Sequence, residues 1–175
     1  MLSSKTGISQ QAFNEIFERY YRAICYFVFQ LTNNEQQAED IASECFQKVW
    51  TNRMNFHESA SIKAFLYKAA KNAALNYLKS LKVRSAAHDE ILYLSEHTED
   101  FIVAKIIKAQ LLANIYDRVE KMPYKIKEVF NLIYRDDLST REIAEKLHTS
   151  EQNVRNLKTR ALNVIKKSLA NNSFV

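Results

Sequence analysis

The residues from Glu151 to Leu169 place side chains that can bind DNA bases along one face of a helix. Val154, Leu157 and Ala161 recur at the helical period and mark the buried side, so geometry sets the opposite side. Arg matches guanine edges bidentately, Asn and Gln match adenine, Thr can contact a thymine methyl group, and flanking cations suit phosphates. The predicted major-groove face carries Gln152, Arg155, Asn156, Thr159 and Asn163, flanked by Lys158 and Arg160.

The alternative interpretation of this face is a solvated helix surface, which accounts for most charge-rich helical stripes. Ordinary solvated faces mix the two signs of charge. Here Glu151 is the only acidic residue from Glu151 to Leu169. The excess of positive charge therefore favours a face that binds a polyanion.

A helix-turn-helix is the element predicted to position this face. Ser139 and Glu142 form a Ser-x-x-Glu capping box, which predicts the start of a first short helix. His148 marks the break between the helices, and Thr149 with Gln152 repeats the capping pattern for a second helix.

The composition predicts an all-α protein. The chain has 175 residues, of which 47% are hydrophobic, with one Gly, one Pro and a formal net charge of +5. So few turn formers argue against β architecture. No apolar run approaches the roughly 20 residues that span a bilayer, and the N-terminus lacks the apolar core of a secretory signal. We therefore expect a cytoplasmic protein without membrane insertion.

Residue patterns typical of catalysis or metal binding are missing from the sequence. Cys25 and Cys45 each lie within an apolar helical stripe, so buried thiols are favoured over a disulfide or a zinc site. No nucleophile, paired-carboxylate or glycine-rich phosphate motif accompanies the histidines. We expect no enzymatic activity, no metal and no cofactor. The four scattered histidines are His57, His88, His97 and His148.

Apolar periodicity predicts three helices in a first domain, residues 9–82. The first includes Phe13 to Leu31, and the second runs from about Glu35 to Thr51. The third follows an irregular segment at Asn52 to Ser61 and ends near Leu81.

Two of these helices have outer faces of opposite charge. The outer face of the second helix is acidic, whereas the third helix has no acidic residue from Lys63 to Lys82. The acidic face contains Glu39, Asp40, Ser43, Glu44 and Gln47. The basic face contains Lys63, Lys68, Lys71, Asn72, Asn76 and Lys79.

A flexible acidic linker is predicted at residues 83–99, where apolar periodicity is lost. A second helical domain, residues 100–170, follows it. Its helices resume near Asp100, Pro123 suits the first turn of another helix, and the helix-turn-helix completes the domain.

Two small helical domains carrying these motifs resemble an extracytoplasmic-function (ECF) sigma factor over nearly the whole chain. The segment AEDIASECFQKVW at 38–50 resembles the family's polymerase-docking helix, and KAFLYKAAKNAALNYLKS at 63–80 resembles its −10 recognition helix. The segments MPYKIKEVFNLIY at 122–134 and LSTREIAEKLHTSEQNVRNLKTRAL at 138–162 resemble its −35-reading domain. The resemblance thus implies a sigma region 2-like three-helix domain and a sigma region 4-like domain.

The resemblance also assigns roles to the predicted faces. It implies that the acidic face binds core RNA polymerase, although Glu39 and Asp40 also suit the solvated start of a helix. It implies promoter −10 recognition by the basic face and by a base pocket in the loop before it. By similarity that loop comprises Phe56, His57, Glu58 and Ser59, with Phe56 alternatively serving as a small core anchor. It places −35 contacts on Arg155, Asn156, Thr159 and Arg160.

The resemblance implies a transcription initiation factor that is a monomer when free and binds core RNA polymerase, promoter DNA and an anti-sigma factor. A DNA-binding regulator that acts without polymerase is the main alternative, although no dedicated dimer helix is visible. A purely protein-binding adaptor would leave both basic helices unexplained. One departure from the family pattern is that Asp137 and His148 stand where Gly is common.

Overall fold

The computed structural model describes residues 7–56, 58–84 and 99–171. These ranges contain helices and no β-strand, which confirms the expected all-α class. His57 and residues 85–98 of the expected linker lie outside the described residues. The helices are α1 (Gln10–Thr32), α2 (Glu35–Thr51), a 3₁₀ helix (Arg53–Asn55), α3 (Ser59–Arg84), α4 (Glu99–Glu120), α5 (Tyr124–Tyr134), α6 (Thr140–Lys146) and α7 (Glu151–Asn171).

The chain forms two compact units that divide between Ala113 and Asn114. In the first unit, α1, α2, α3 and the first part of α4 share one apolar core. Burying this apolar surface is the main term that favours the fold of the unit. Its fully buried large side chains include Ile24, Phe27, Val28, Phe46, Val49, Ile62 and Leu66.

Side-chain caps set the helix boundaries at the start of the first unit. The hydroxyl of Ser9 accepts a hydrogen bond from the amide of Ala12 (3.1 Å) and caps α1. The side-chain oxygen of Asn34 accepts one from the amide of Gln37 (2.9 Å) and caps α2. Between these helices Asn33 has a left-handed φ of 49°, which Asn tolerates better than most residues. The predicted break therefore forms by local hydrogen bonding.

The first part of α4 belongs to the first unit, whereas the sequence pattern suggested a second domain from residue 100. Ile102, Ile106 and Ala109 pack against the core of the first unit. The side-chain amide of Gln110 also donates a hydrogen bond to the hydroxyl of Tyr67 (3.1 Å). Periodicity identifies the buried face of a helix but not the neighbour that covers it, so the division at residue 113 was not evident from sequence.

The second unit contains the end of α4 with α5, α6 and α7. One cluster includes Val119, Phe130 and Ala161, and a second joins Val129, Ile143 and Val154 under the helix-turn-helix. The predicted capping box is present: the amide of Glu142 donates to the Ser139 hydroxyl, and the amide of Ser139 donates to the Glu142 carboxylate.

The helical period of α7 also predicts buried side chains at Val164 and, beside it, at Ile165. Ile165 is buried as predicted, whereas Val164 is 41% exposed. Four residues bring a side chain closer to the same face of an α-helix than three residues do. Ile165, four residues after the buried Ala161, therefore continues the stripe.

Other properties of the described residues bear on the sequence predictions. Cys25 and Cys45 are free thiols, and burial raises the pKa of each to about 11. Within the described ranges, no group of three or more potential ligand residues could hold a metal ion. No helix among them is both long and apolar enough to cross a membrane.

Candidate functional site

The turn before α7 has the geometry of a helix-turn-helix. His148 adopts a left-handed φ of 48°, and the amide of Thr149 bonds back to the carbonyl of Ala144 (2.9 Å). Because this bond still belongs to the end of the first helix, the second helix starts one residue later than predicted. The hydroxyl of Ser150, rather than that of Thr149, accepts from the amide of Asn153 (3.2 Å). The Thr149 hydroxyl instead accepts from the Asn153 side chain (2.9 Å).

The outer face of α7 is open to solvent, opposite the buried Val154, Ala161 and Ile165. Lys158 differs from the rest of the predicted face because it is half-buried. Its ammonium nitrogen lies 6.0 Å from the ring centroid of Tyr134, within the range of a cation–π contact. The predicted residues that are exposed are Gln152, Arg155, Asn156, Thr159, Arg160 and Asn163.

Hydrogen bonds within α7 hold three of these exposed side chains. The side-chain amide of Gln152 donates to the side-chain oxygen of Asn156 (3.2 Å). The hydroxyl of Thr159 donates to the backbone carbonyl of Arg155 (2.9 Å). Ordering side chains before binding reduces the entropy lost on binding. The face therefore presents amide and hydroxyl groups that are already partly ordered.

Four of the six predicted polar residues of α3 are exposed, and the other two are half-buried. Lys68, Asn72 and Asn76 follow one another at four-residue intervals and are exposed, as is Lys79. Lys63 and Lys71 are half-buried. The spacing places the exposed residues along one stripe of the helix.

A groove of about 740 Å³ runs between α3 and α2 beside this stripe. Lys68, Asn72 and Asn76 line its α3 side, and Glu44 lies on its α2 side. The ring of Tyr77 also lines the groove, and its hydroxyl accepts a hydrogen bond from the side chain of Asn34 (3.3 Å). Glu44 was predicted to belong to the α2 face. Its place in this groove means that it also borders the predicted α3 face.

The loop before α3 contains the 3₁₀ helix. The helix α3 begins at Ser59, before the predicted end of the irregular segment at Ser61. Phe56 is half-buried against the core of the first unit. Its ring meets that of Phe65 edge-on, with 5.4 Å between their centroids. The anchoring role that the sequence left open for Phe56 is thus present, while Glu58 is exposed.

All the predicted residues of the α2 face are exposed. Glu44 lines the groove beside α3, whereas Ser43 and Gln47 line a second groove of about 390 Å³ against α1. The residues that share the α2 face are Glu39, Asp40, Ser43, Glu44 and Gln47.

The sequence did not reveal how aromatic this second groove is. Phe17 is 38% exposed and stacks on Tyr21, with ring centroids 4.6 Å apart. Phe17 also meets Phe46 edge-on at 4.9 Å, and Phe13 contacts Trp50 at 5.0 Å. The surplus of aromatic residues in the first helix was the available signal, but their arrangement depends on how α1 packs on α2.

Two family models match separate parts of the chain. The model described as Sigma-70 region 2 matches residues 16–84, which contain most of α1 and all of α2 and α3. The model described as Sigma-70, region 4 matches residues 112–164, which contain the helix-turn-helix. Together the two matched segments cover more than two thirds of the chain.

Several curated proteins are similar to the chain over most of its length. The ECF RNA polymerase sigma factor SigW of Bacillus subtilis is 26% identical over 168 residues, covering 91% of this chain and 90% of SigW. The ECF RNA polymerase sigma factor SigM of the same organism is 20% identical over 148 residues, covering 85% and 89%. The RNA polymerase sigma-H factor of Pseudomonas aeruginosa is 23% identical over 168 residues, covering 91% and 87%.

Proposed function

This chain belongs to the sigma-70 family as an ECF-type sigma factor, and from that premise we propose which partner each of its surfaces binds. The protein is a promoter-recognising sigma factor of RNA polymerase. In our proposal the α7 face binds the −35 element, and the α3 face binds the −10 element and assists melting. The α2 face binds core polymerase.

The observation that carries the proposal is the exposed face of α7 directly after the turn of the helix-turn-helix. Arg155 and Asn156 are exposed there, on the helix that follows the turn. In helix-turn-helix proteins, the N-terminal residues of this helix contact base edges in the major groove. Arg155 is suited to a bidentate contact with guanine, and Asn156 to one with adenine. Arg160 and Lys158 would contribute phosphate contacts nearby.

The proposed −10 role rests on the stripe of Lys68, Asn72 and Asn76 along the groove between α2 and α3. Single-stranded DNA is held by cations along its backbone together with polar or aromatic groups that contact its bases. Taking a base out of the stack costs a few kcal/mol, which such contacts offset. Lys63, Lys71 and Lys79 would add affinity without sequence information. Phe56 and His57 belong to the proposed base pocket before α3, where the contact of the half-buried Phe56 ring with Phe65 would hold the pocket against the core while the rest of the ring stays available to a base.

The proposed polymerase contact rests on three exposed carboxylates of α2, those of Glu39, Asp40 and Glu44. Exposed charges on an interface speed association and set its orientation when the partner surface is complementary. Ser43 and Gln47 are exposed beside these acids and line the aromatic groove. We therefore propose a basic partner surface on core polymerase.

The proposal includes two further features of the free protein. We expect a monomer that acts in the bacterial cytoplasm, where transcription takes place. We also expect an anti-sigma factor that covers one of the proposed faces and so prevents promoter recognition.

Binding to core RNA polymerase without DNA tests the α2 assignment. The double variant Asp40→Lys with Glu44→Lys should bind core polymerase at least about tenfold more weakly, because like charges then face each other. The control is Glu15→Lys with Glu18→Lys on α1, which makes the same charge change at two exposed positions.

The two variants give distinct outcomes in gel filtration with purified core polymerase. Stoichiometric co-elution of the wild type and of the α1 control, with loss in the α2 variant, would support docking through α2. Equal loss in both variants would indicate a general charge effect and contradict the assignment. Retention by the α2 variant would contradict it as well.

A further inference from the structure

The chain contains one glycine, Gly7, and does not use glycine at its left-handed positions. Asn33, Asp137 and His148 have φ values of 49°, 52° and 48°. Glycine would adopt this conformation most easily. Glycine at position 7 is therefore not explained by backbone conformation, and the reason for it is the space around the residue.

The space at Gly7 is taken by the backbone of the 3₁₀ helix. A Cβ atom on Gly7 would lie 2.4 Å from the Cα of Met54 and 2.5 Å from the carbonyl oxygen of Arg53. Both are backbone atoms, so no side-chain rotation can relieve the overlap. Any larger residue at this position must push the two backbone segments apart.

The segment Gly7 to Ser9, which we call the strap, is held by contacts of Ile8 and Ser9. The amide of Ile8 donates a hydrogen bond to the carbonyl of Arg53 (3.1 Å). The Ile8 side chain packs against the core of the first unit. Ser9 caps α1 through the amide of Ala12. The strap therefore links the start of α1 to the 3₁₀ helix.

The carbonyl of Arg53 connects the strap to the loop that follows. It accepts a second hydrogen bond from the amide of Phe56 (3.4 Å). On the other side, the guanidinium of Arg53 donates to the carbonyl of Trp50 (3.1 Å) and lies 4.3 Å from the centroid of its indole ring. A shift of Arg53 would therefore move Phe56.

We propose that Gly7 is a positioning residue for −10 recognition, because its lack of a side chain lets the strap hold the loop that precedes α3. This inference rests on the proposed function, in which Phe56 and its neighbours form the base pocket. Gly7 itself contacts no DNA in this scheme. It sets the position of the Arg53 carbonyl, and through it the position of the loop.

The test compares three variants in complex with core polymerase. Gly7→Ala adds one carbon at the strap. Asn72→Ala removes an exposed side chain from the proposed −10 face itself. Val28→Ala weakens the buried core of the first unit at a site about 27 Å along α1 from its first residue.

The DNA probe is a promoter fragment that the wild-type holoenzyme selects from a random-sequence library. A fluorescent base analogue in its −10 region reports the rate of opening. Opening is then compared with that of a fragment carrying one changed −10 base. Core binding by gel filtration and the midpoint of thermal unfolding are measured for every variant.

The expected result is that Gly7→Ala opens the selected promoter about tenfold more slowly, since displacements of about 1 Å in a binding site have effects of this order or larger. It should also lose discrimination against the changed base while binding core polymerase normally. Opening and discrimination like the wild type would overturn the inference. So would equal impairment of Gly7→Ala and Val28→Ala, because the effect would then be one of stability. Normal opening by Asn72→Ala would instead contradict the proposed α3 role, whatever Gly7→Ala does.

Discussion

The guanidinium of Arg155 donates a hydrogen bond of 2.5 Å to the carboxylate of Glu151, four residues earlier on α7. Both side chains are about half exposed, so the pair contributes little to stability. The position of this ion pair is more important, because the pair places the negative charge of Glu151 beside the guanidinium that we propose contacts DNA. A base or phosphate that binds Arg155 must share it with Glu151 or displace that carboxylate.

Glu151→Gln should increase the affinity of the protein for DNA of any sequence. Removing this carboxylate takes away repulsion of phosphates, which should strengthen binding roughly threefold at moderate salt. Loss of the carboxylate that orients Arg155 should at the same time reduce the difference in affinity between a −35 duplex and a scrambled duplex. Fluorescence anisotropy titrations of both duplexes measure the two effects. The control is Glu145→Gln, which removes the partner of Arg141 on α6 (3.0 Å), and an equal effect there would contradict a specific role for Glu151.

Arg155→Lys should retain non-specific DNA binding but lose discrimination between the −35 sequence and other sequences. Lysine keeps the charge and lacks the planar fork that makes a bidentate contact, so discrimination should fall by about 1–3 kcal/mol. Competition between −35 and scrambled duplexes measures this loss. Lys158→Ala is the comparison, because removing a phosphate contact should weaken binding to both duplexes equally. Unchanged discrimination in Arg155→Lys would exclude Arg155 as a base-reading residue.

His148→Gly should unfold less readily than His148→Ala. Position 148 has a left-handed φ of 48°, which any residue with a Cβ adopts at a cost and glycine adopts freely. The expected difference in the free energy of unfolding is about 1 kcal/mol in favour of glycine. Urea denaturation followed by circular dichroism provides the measurement. Equal stabilities would show that the turn does not strain its residue.

The capping box of α6 should make helix stability depend on pH through Glu142. The Ser139 side chain, followed by the backbone amide of Ser139, lowers the pKa of the Glu142 carboxyl from its ordinary value of 4.5. Since the folded pKa is the lower one, this stabilisation is full above the ordinary value and is lost as pH falls through the folded pKa.

Ser139→Ala should therefore raise the pKa of Glu142 toward 4.5, as followed by NMR titration of the side-chain carboxyl carbon. Glu142→Gln is the matched control, because it keeps an acceptor oxygen for the Ser139 amide but does not titrate. A pKa for Glu142 that is the same with and without the Ser139 hydroxyl would contradict the assigned cause.

The helices themselves could be predicted from the sequence because their signals are local. Apolar residues at the helical period and the Ser139 and Glu142 capping box depend on neighbours within a few residues. The break at His148 is local in the same sense. The exposed face of α7 followed from the same period, so most of its proposed DNA contacts were predicted before the fold was known. The cap of α7 was predicted at Thr149 and lies at Ser150, since both residues suit that position.

Only the tertiary structure decided how residues distant in sequence meet. The packing of α4 on the first unit, the aromatic groove between α1 and α2, and the position of Glu44 beside the α3 stripe all depend on contacts between helices. Gly7 is the sharpest case, because only the approach of Arg53 and Met54 explains why a side chain cannot be placed there. The sequence by itself determined the helices and their charged faces, through local hydrogen bonds and periodicity. The fold determined which of those faces became neighbours, since burial pairs surfaces without regard to their separation along the chain.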